Sequence, residues 1–320
     1  MNDYMEIIAP NHPFLSANET VATIGFFDGV HAGHRFLFQQ LKTQADAHGL
    51  PSMVITFSQY PQSVVQSGFQ PELLNTLDER IERISLSGID YCLLLDFTPQ
   101  FSQLTAKEFI QKKLKEEWNI KLLLVGYDHR FGKNRAEDFN DYVRYGKECG
   151  IEILRATKLP DISVSSTHIR NCLSEKNVKE ANRMLSYLYR LEGTIIEGSR
   201  LGRRIGFPTA NLEINDLQKM IPGDGIYAAW AHWNRRKYGA MVYIGKRPTI
   251  TNRGEKRIEA HLFDFSGDLY GETLQLEFVG FLREDTHFDC VEDLKKQLFI
   301  DKEAALSVLA DSAFIHAIKK

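Results

Sequence analysis

Gly25-Phe26-Phe27-Asp28-Gly29-Val30-His31-Ala32-Gly33-His34 joins a short apolar run to a stretch in which Phe36, Leu37, Gln40 and Leu41 fall at helical spacing. The run reads as a strand, residues 21–25, and the join as a strand–turn–helix connection. A helix N-terminus of this kind offers free N–H groups and the positive end of the macrodipole to an anion. His31 and His34 are three apart and are predicted to share a face of the first helical turn. Gly29 and Gly33 leave backbone bare where a phosphate would approach. Two imidazoles so placed can donate hydrogen bonds to phosphoryl oxygens as charge builds in a displacement. A bare His-x-Gly-His also fits two surface histidines; the flanking Phe-Asp-Gly and the strand–turn–helix setting favour the phosphate reading.

Outward from this turn, the first half alternates apolar runs with helical patterns. Residues 53–57, 91–97, 121–126 and 151–154 are further predicted strands. Leu122-Leu123-Leu124-Val125 is apolar without interruption, as a parallel strand covered on both faces requires. Thr105 and Glu108 form a capping box ahead of Ile110, Leu114 and Trp118 at helical spacing. Strand and helix in alternation predict an α/β fold, a doubly wound parallel sheet that binds ligands at the carboxyl ends of its strands. In the second half, Leu274, Leu276 and Phe278 alternate with Thr273, Gln275 and Glu277, the period of a half-buried antiparallel strand. Residues 193–196, 226–233, 238–244 and 258–265 are further strands between turns, which predicts an all-β barrel or sandwich. A helix with Asp301 as its N-cap is expected at the end. The boundary is placed at 184/185, giving domains 1–184 and 185–320.

The bulk numbers limit the function. The chain has 320 residues, enough for two cores, and a net charge of −3, which supplies no general field for nucleic acid or anionic lipid. No apolar run is long enough for a bilayer, and the start lacks the order of a signal peptide. The four cysteines, Cys92, Cys149, Cys172 and Cys290, are scattered without a CxxC pair. A cytoplasmic, reduced protein without disulfides or structural zinc fits best, with Cys92 a buried small hydrophobe.

A second phosphate-handling stretch is Gly198-Ser199-Arg200-Leu201-Gly202-Arg203-Arg204-Ile205-Gly206, a cationic glycine-rich loop after the strand at 193–196. Its composition alone also fits a basic surface turn. Pro208-Thr209-Ala210-Asn211 follows, and alternation puts the Thr209 and Asn211 oxygens on one side, where they can hold Mg²⁺. Glu259, on one strand face with His261, Phe263 and Phe265, can orient or deprotonate an alcohol. By itself it also reads as a solvated strand carboxylate. Ser165 and Ser166 can cap a helix and offer hydroxyls to phosphate, and Arg170 can clamp it.

Gly25–His34, Val125-Gly126-Tyr127-Asp128-His129-Arg130-Phe131-Gly132 and Ser165-Ser166-Thr167-His168-Ile169-Arg170 together resemble the FMN adenylyltransferase module of bacterial FAD synthetases. The resemblance implies that His31 and His34 bind the phosphates of ATP. Gly25, Phe26, Asp28, Gly33, Asp128, Ser165, Ser166 and Arg170 fall at the module's other nucleotide positions. Residues 202–212, 223–230, 244–250, 258–265, 268–285 and 288–294 resemble riboflavin kinase. That resemblance implies a six-stranded Greek-key barrel in which Thr209 and Asn211 ligate Mg²⁺ and Glu259 is the base. Gly198, Gly202 and Arg203 would form a nucleotide flap, and Arg283 and Glu284 a flavin-side loop. The implied chemistry is ATP-dependent conversion of riboflavin to FMN and of FMN to FAD with release of pyrophosphate.

There are departures from these patterns. Tyr60 stands where the module has histidine, His129 where it has Phe, and Lys133-Asn134-Arg135-Ala136-Glu137 replaces a glycine- and arginine-rich run. Tyr243 stands where the kinase has Asn. Two other readings stay open: a kinase whose His-x-Gly-His domain serves another acceptor or has lost activity, and a non-enzymatic flavin-binding regulator. Whether the chain forms a homo-oligomer is also open.

Overall fold

A computed structural model describes residues 4–9, 19–66, 68, 70–160, 163–198, 201–246 and 256–318. They divide into two compact units, residues 1–165 and 166–320.

The first unit is built on a six-stranded parallel sheet: β1 (Glu6–Ile8), β2 (Thr20–Ile24), β3 (Ser52–Phe57), β4 (Tyr91–Leu95), β5 (Ile120–Val125) and β6 (Glu152–Arg155). Their order across the sheet is β1-β4-β3-β2-β5-β6, with every pairing parallel. The chain winds one way from β2 through β3 to β4 and the other way through β5 to β6. The switch point therefore lies between β2 and β5, where the carboxyl ends open a crevice. Every residue of β2 and β3 is buried, because both faces of the sheet are covered. One core cluster holds Ile24, Ile55, Leu123 and Trp118; the other holds Val54, Phe38, Leu41 and Cys92. Cys92 is fully buried, which pushes its thiol up to about 12. Helix α1 (Ala32–His48) starts at the His31 cap and stops at Gly49 in the left-handed region. Helix α2 (Leu77–Ser85) opens on a capping box of Thr76 and Glu79, and α3 (Phe139–Cys149) on one of Asp138 and Asp141. The predicted Thr105–Glu108 box is present, and the helix it starts continues over Phe109–Glu117 in wider π-type turns.

The second unit begins with α4 (Ser166–Ser174) and α5 (Val178–Leu185). A closed antiparallel barrel follows: β7 (Tyr189–Ile196), β8 (Ala210–Glu213), β9 (Gly225–Trp233), β10 (Arg236–Lys246), β11 (Lys256–Leu262) and β12 (Thr273–Arg283), in the order β10-β11-β8-β7-β12-β9. Inward residues alternate along it, as Tyr189, Leu191 and Ile195 do on β7 and Leu274, Leu276 and Phe278 on β12. Helix α6 (Val291–Ile318) buries Ala305 and Leu309 with Met241 and Phe263.

Three features differ from the sequence expectations. The compact units divide between Ser165 and Ser166, about twenty residues before the expected 184/185 boundary, because α4 and α5 belong with the barrel. Asn182 fixes them there, donating to the Phe278 carbonyl at 2.8 Å and accepting from Tyr189 N–H at 2.7 Å. Asp301 is not an N-cap: α6 begins ten residues earlier, and Asp301 lies inside it, buried and bound to Arg283. The strand expected over 258–265 ends at Leu262, and Asp264 turns left-handed with φ 53°. Residues 199–200 of the cationic loop and 247–250 of the kinase-like pattern lie outside the described residues.

Candidate functional sites

In the first unit the turn after β2 is tightly wound. Phe27 and Val30 have positive φ, 57° and 35°, beside Gly29 at 81°. Strained backbone of this kind persists where the surroundings over-determine it, and it clusters at functional sites. His31 caps α1 rather than lying within it, as the shared-face expectation had placed it. Its Nδ1 accepts the His34 N–H at 3.4 Å. The two imidazoles stack, with centroids 3.6 Å apart and planes 17° from parallel, and Phe27 meets His34 edge-on. Burial lowers the His31 pKa to about 4 and that of His34 well below its ordinary value. Both rings are therefore neutral at pH 7. With Nδ1 of His31 accepting, its Nε2 carries the proton and is a donor. The His34 Nδ1 is buried without a partner among the described residues.

Asp28 differs from the expectation of nucleotide contact. It is buried, and its carboxylate accepts from the N–H groups of Leu74 (3.0 and 3.2 Å) and Asn75 (3.2 Å). It clamps the segment ahead of α2. Beside the turn lies a cavity of about 310 Å³ walled by Phe26, Phe57, Phe97, Phe101, Phe109 and Phe131. Tyr60 and His129, the two departures, line it too; Tyr60 meets Phe26 edge-on at 4.8 Å. Burial lowers the His129 pKa to about 4. Sequence reasoning names Phe26 and quotes Phe131, but misses Phe57, Phe97, Phe101 and Phe109, each of which reads singly as core. Asp128 lines a separate polar cavity of about 390 Å³ with Arg130, Asp138, Asn140 and Arg155 at the ends of β5 and β6. Ser165 ends this unit, whereas Ser166 and Arg170 belong to α4 of the other.

In the second unit the β8–β11 register sets Asn211 directly opposite Glu259, and the β10–β11 register sets Tyr243 opposite it on the other side. Directly opposed residues project to one face, so the three form a row. Thr209, just ahead of β8, donates its hydroxyl to Glu259 Oε2 at 3.2 Å, and Arg257 pairs with the other carboxylate oxygen. His261 bonds the Pro208 carbonyl through Nδ1 at 2.7 Å, fixing the backbone that presents Thr209. A Cβ on Gly198 would run into the Asn211 carboxamide, so Gly198 lies directly on that side chain.

Thr209 lines two cavities. One, of about 320 Å³, also holds Glu259, Tyr243, Arg257, Arg283, Asp285 and Phe288. The other, of about 250 Å³, holds Arg203, Phe265, Leu269 and Tyr270. The Arg283 guanidinium forks onto Asp301, at 2.8 and 2.7 Å, and so walls the first cavity. Glu284 does not line it. Its carboxylate is largely exposed and pairs with Lys176, and Asp285, which accepts from the Tyr243 hydroxyl at 3.0 Å, takes the place expected for it.

The comparisons with known proteins divide along the same two halves. Residues 15–168 match the family model of FAD synthetase and residues 185–309 that of riboflavin kinase. Proteins described as bifunctional riboflavin kinase/FMN adenylyltransferase are similar throughout. The one from Listeria monocytogenes is 33% identical over 306 residues, 93% of this chain and 96% of the relative. The one from Escherichia coli K12 is 34% identical over 288 residues, 89% and 91% of the two chains. A solved structure described as a macrolide-efflux protein from Streptococcus pneumoniae superposes with a TM-score of 0.83 at 32% identity, covering 94% of this chain and 98% of that one. No helix among the described residues of this chain is long and apolar enough to cross a membrane.

Proposed function

The chain belongs to the bifunctional riboflavin kinase/FMN adenylyltransferase family, and from that membership we propose which residues carry each of its two reactions. The enzyme phosphorylates riboflavin with ATP and adenylylates the resulting FMN to FAD.

The kinase step is assigned to the meeting point of the two cavities at Thr209. Riboflavin occupies the larger one with its ribityl hydroxyl at Glu259, and ATP the smaller one. There Arg203 faces the phosphates, and Phe265 and Tyr270 offer faces to the base. The hydroxyl oxygen attacks the γ-phosphorus, its proton passes to the Glu259 carboxylate and ADP leaves. Mg²⁺ suits the donor set, because Thr209 and Asn211 supply neutral hard oxygens beside a carboxylate. Thr209 spends its proton on Glu259, which leaves its oxygen lone pairs for the cation. When bound, Mg²⁺ neutralises phosphate charge. The observation that carries this assignment is the 3.2 Å contact between Thr209 and Glu259 at the boundary of both cavities.

Adenylyl transfer is assigned to the turn after β2. The FMN phosphate is already an anion and attacks the α-phosphorus of ATP, expelling pyrophosphate, so no base is needed. The stacked neutral His31 and His34 at the N-terminus of α1 donate to oxygens that gain charge. The aromatic cavity takes the flavin ring, and Phe26 connects it to the turn. Tyr60 and His129 then alter flavin contact without touching the histidine pair. Ser165, Ser166, Arg170 and Asp128 stay as proposed nucleotide ligands on the strength of the sequence pattern.

Incubation with riboflavin, ATP and Mg²⁺, followed by chromatography, tests both steps. FMN appears first and FAD follows. FMN without FAD refutes the second assignment, and the absence of both refutes the first.

A further inference from the structure

Arg80 lies outside every motif of the sequence, yet it is a 1% exposed cation. The capping box at the start of α2 turns it inward. Its guanidinium donates to the Phe57 carbonyl at the end of β3 and lies over the Phe26 ring, 4.0 Å from the centroid. Phe26 and Phe57 both wall the aromatic cavity, whereas Arg80 itself does not reach it. The opposing charge is Asp28, which in turn holds Leu74 and Asn75 ahead of α2. Among the described residues its Nε has no hydrogen-bond partner.

A desolvated guanidinium is a costly way to fill a core, and an apolar side chain of equal length would fill the same space. What Arg supplies beyond volume is a rigid planar fork and a cation, which fix a ring face and a carbonyl at once. We propose that Arg80 is the positioning residue of this cavity: it sets the Phe26 ring and the Phe57 backbone in the shape that FMN meets. The proposal rests on the reading of the cavity as the FMN site. Burial lowers the Arg80 pKa to about 10, so the cation persists at neutral pH.

The test is steady-state adenylylation by the full chain at saturating ATP with varied FMN, for Arg80→Met, Arg80→Lys and the cavity-wall variant Tyr60→Ala. Thermal melting and riboflavin phosphorylation are recorded for each. Arg80→Met is expected to raise the KM for FMN about tenfold with kcat within about threefold, since a misplaced wall weakens binding. Arg80→Lys keeps the cation without the plane and falls between Arg80→Met and the parent, and riboflavin phosphorylation is unchanged. A residue that only stabilises the fold lowers the active fraction, and so kcat, at unchanged KM; that result in Arg80→Met overturns the proposal. If Arg80→Met does not fold, Arg80→Lys decides, and an unchanged KM overturns it. If Tyr60→Ala raises the KM and the Arg80 variants do not, only the role of Arg80 fails. If Tyr60→Ala also leaves the KM unchanged, FMN does not bind in this cavity.

Discussion

Acid should unfold the first unit through His31, the histidine that caps α1. His31 has a pKa of about 4 in the folded chain, against 6.5 for the unperturbed group. Between those values the unfolded chain binds a proton that the folded chain refuses, so stability falls as pH drops below 6.5. At pH 5 the difference spans about 1.5 pH units at about 1.4 kcal/mol each, or roughly 2 kcal/mol, against nearly nothing at pH 7.5. His31→Asn removes the titration and keeps a side chain that can accept the His34 N–H as a cap. The assay is urea unfolding at pH 7.5 and pH 5 in a Trp230→Phe/Trp233→Phe background. Trp118, 3% exposed in the core of the first unit, is then the sole tryptophan. The parent should lose about 2 kcal/mol more between the two pH values than His31→Asn does. Equal losses would refute the idea that the fold holds His31 neutral.

Three further outcomes follow from the second unit. Thr209→Ala should lower riboflavin phosphorylation by about 10²-fold, through loss of a proposed Mg²⁺ ligand and of the hydroxyl that holds Glu259, with adenylylation of supplied FMN unchanged in initial-rate assays. Gly198→Ala pushes a methyl group into the Asn211 carboxamide. It should cost kinase kcat about 10²-fold through misplacement, measured against the same adenylylation control. Arg283→Leu strands the buried Asp301 carboxylate and should destabilise the barrel by about 3–5 kcal/mol in urea unfolding; Arg283→Leu with Asp301→Leu should recover most of that.

The architecture was legible in the sequence wherever periodicity was long or punctuated. Leu122–Val125 announced a strand buried on both faces, and Leu274, Leu276 and Phe278 announced one buried on a single face. What stayed hidden depends on partners distant in sequence. Asp301 looks like a cap because it follows the apolar Leu298-Phe299-Ile300 and precedes Lys302-Glu303-Ala304, good helix formers; only Arg283, eighteen residues earlier, shows why it is buried inside a helix. Arg80 sits in a run of charges that reads as a solvated helix face. The aromatic cavity gathers six phenylalanines spread from Phe26 to Phe131, and no local spacing in the sequence joins them. The candidate residues with local spacing do lie together: His31 stacks on His34, and strand register and a hydrogen bond join Glu259 to Asn211 and Thr209.

The independence of the two sites is tested most directly by a pair of single variants, each given riboflavin and, separately, FMN, with ATP and Mg²⁺. Glu259→Ala should form no FMN from riboflavin yet convert supplied FMN to FAD at the parental rate. His31→Ala should accumulate FMN from riboflavin and form FAD from neither substrate. Loss of both reactions in either folded variant, or FAD formation by His31→Ala at the parental rate, would contradict the assignment.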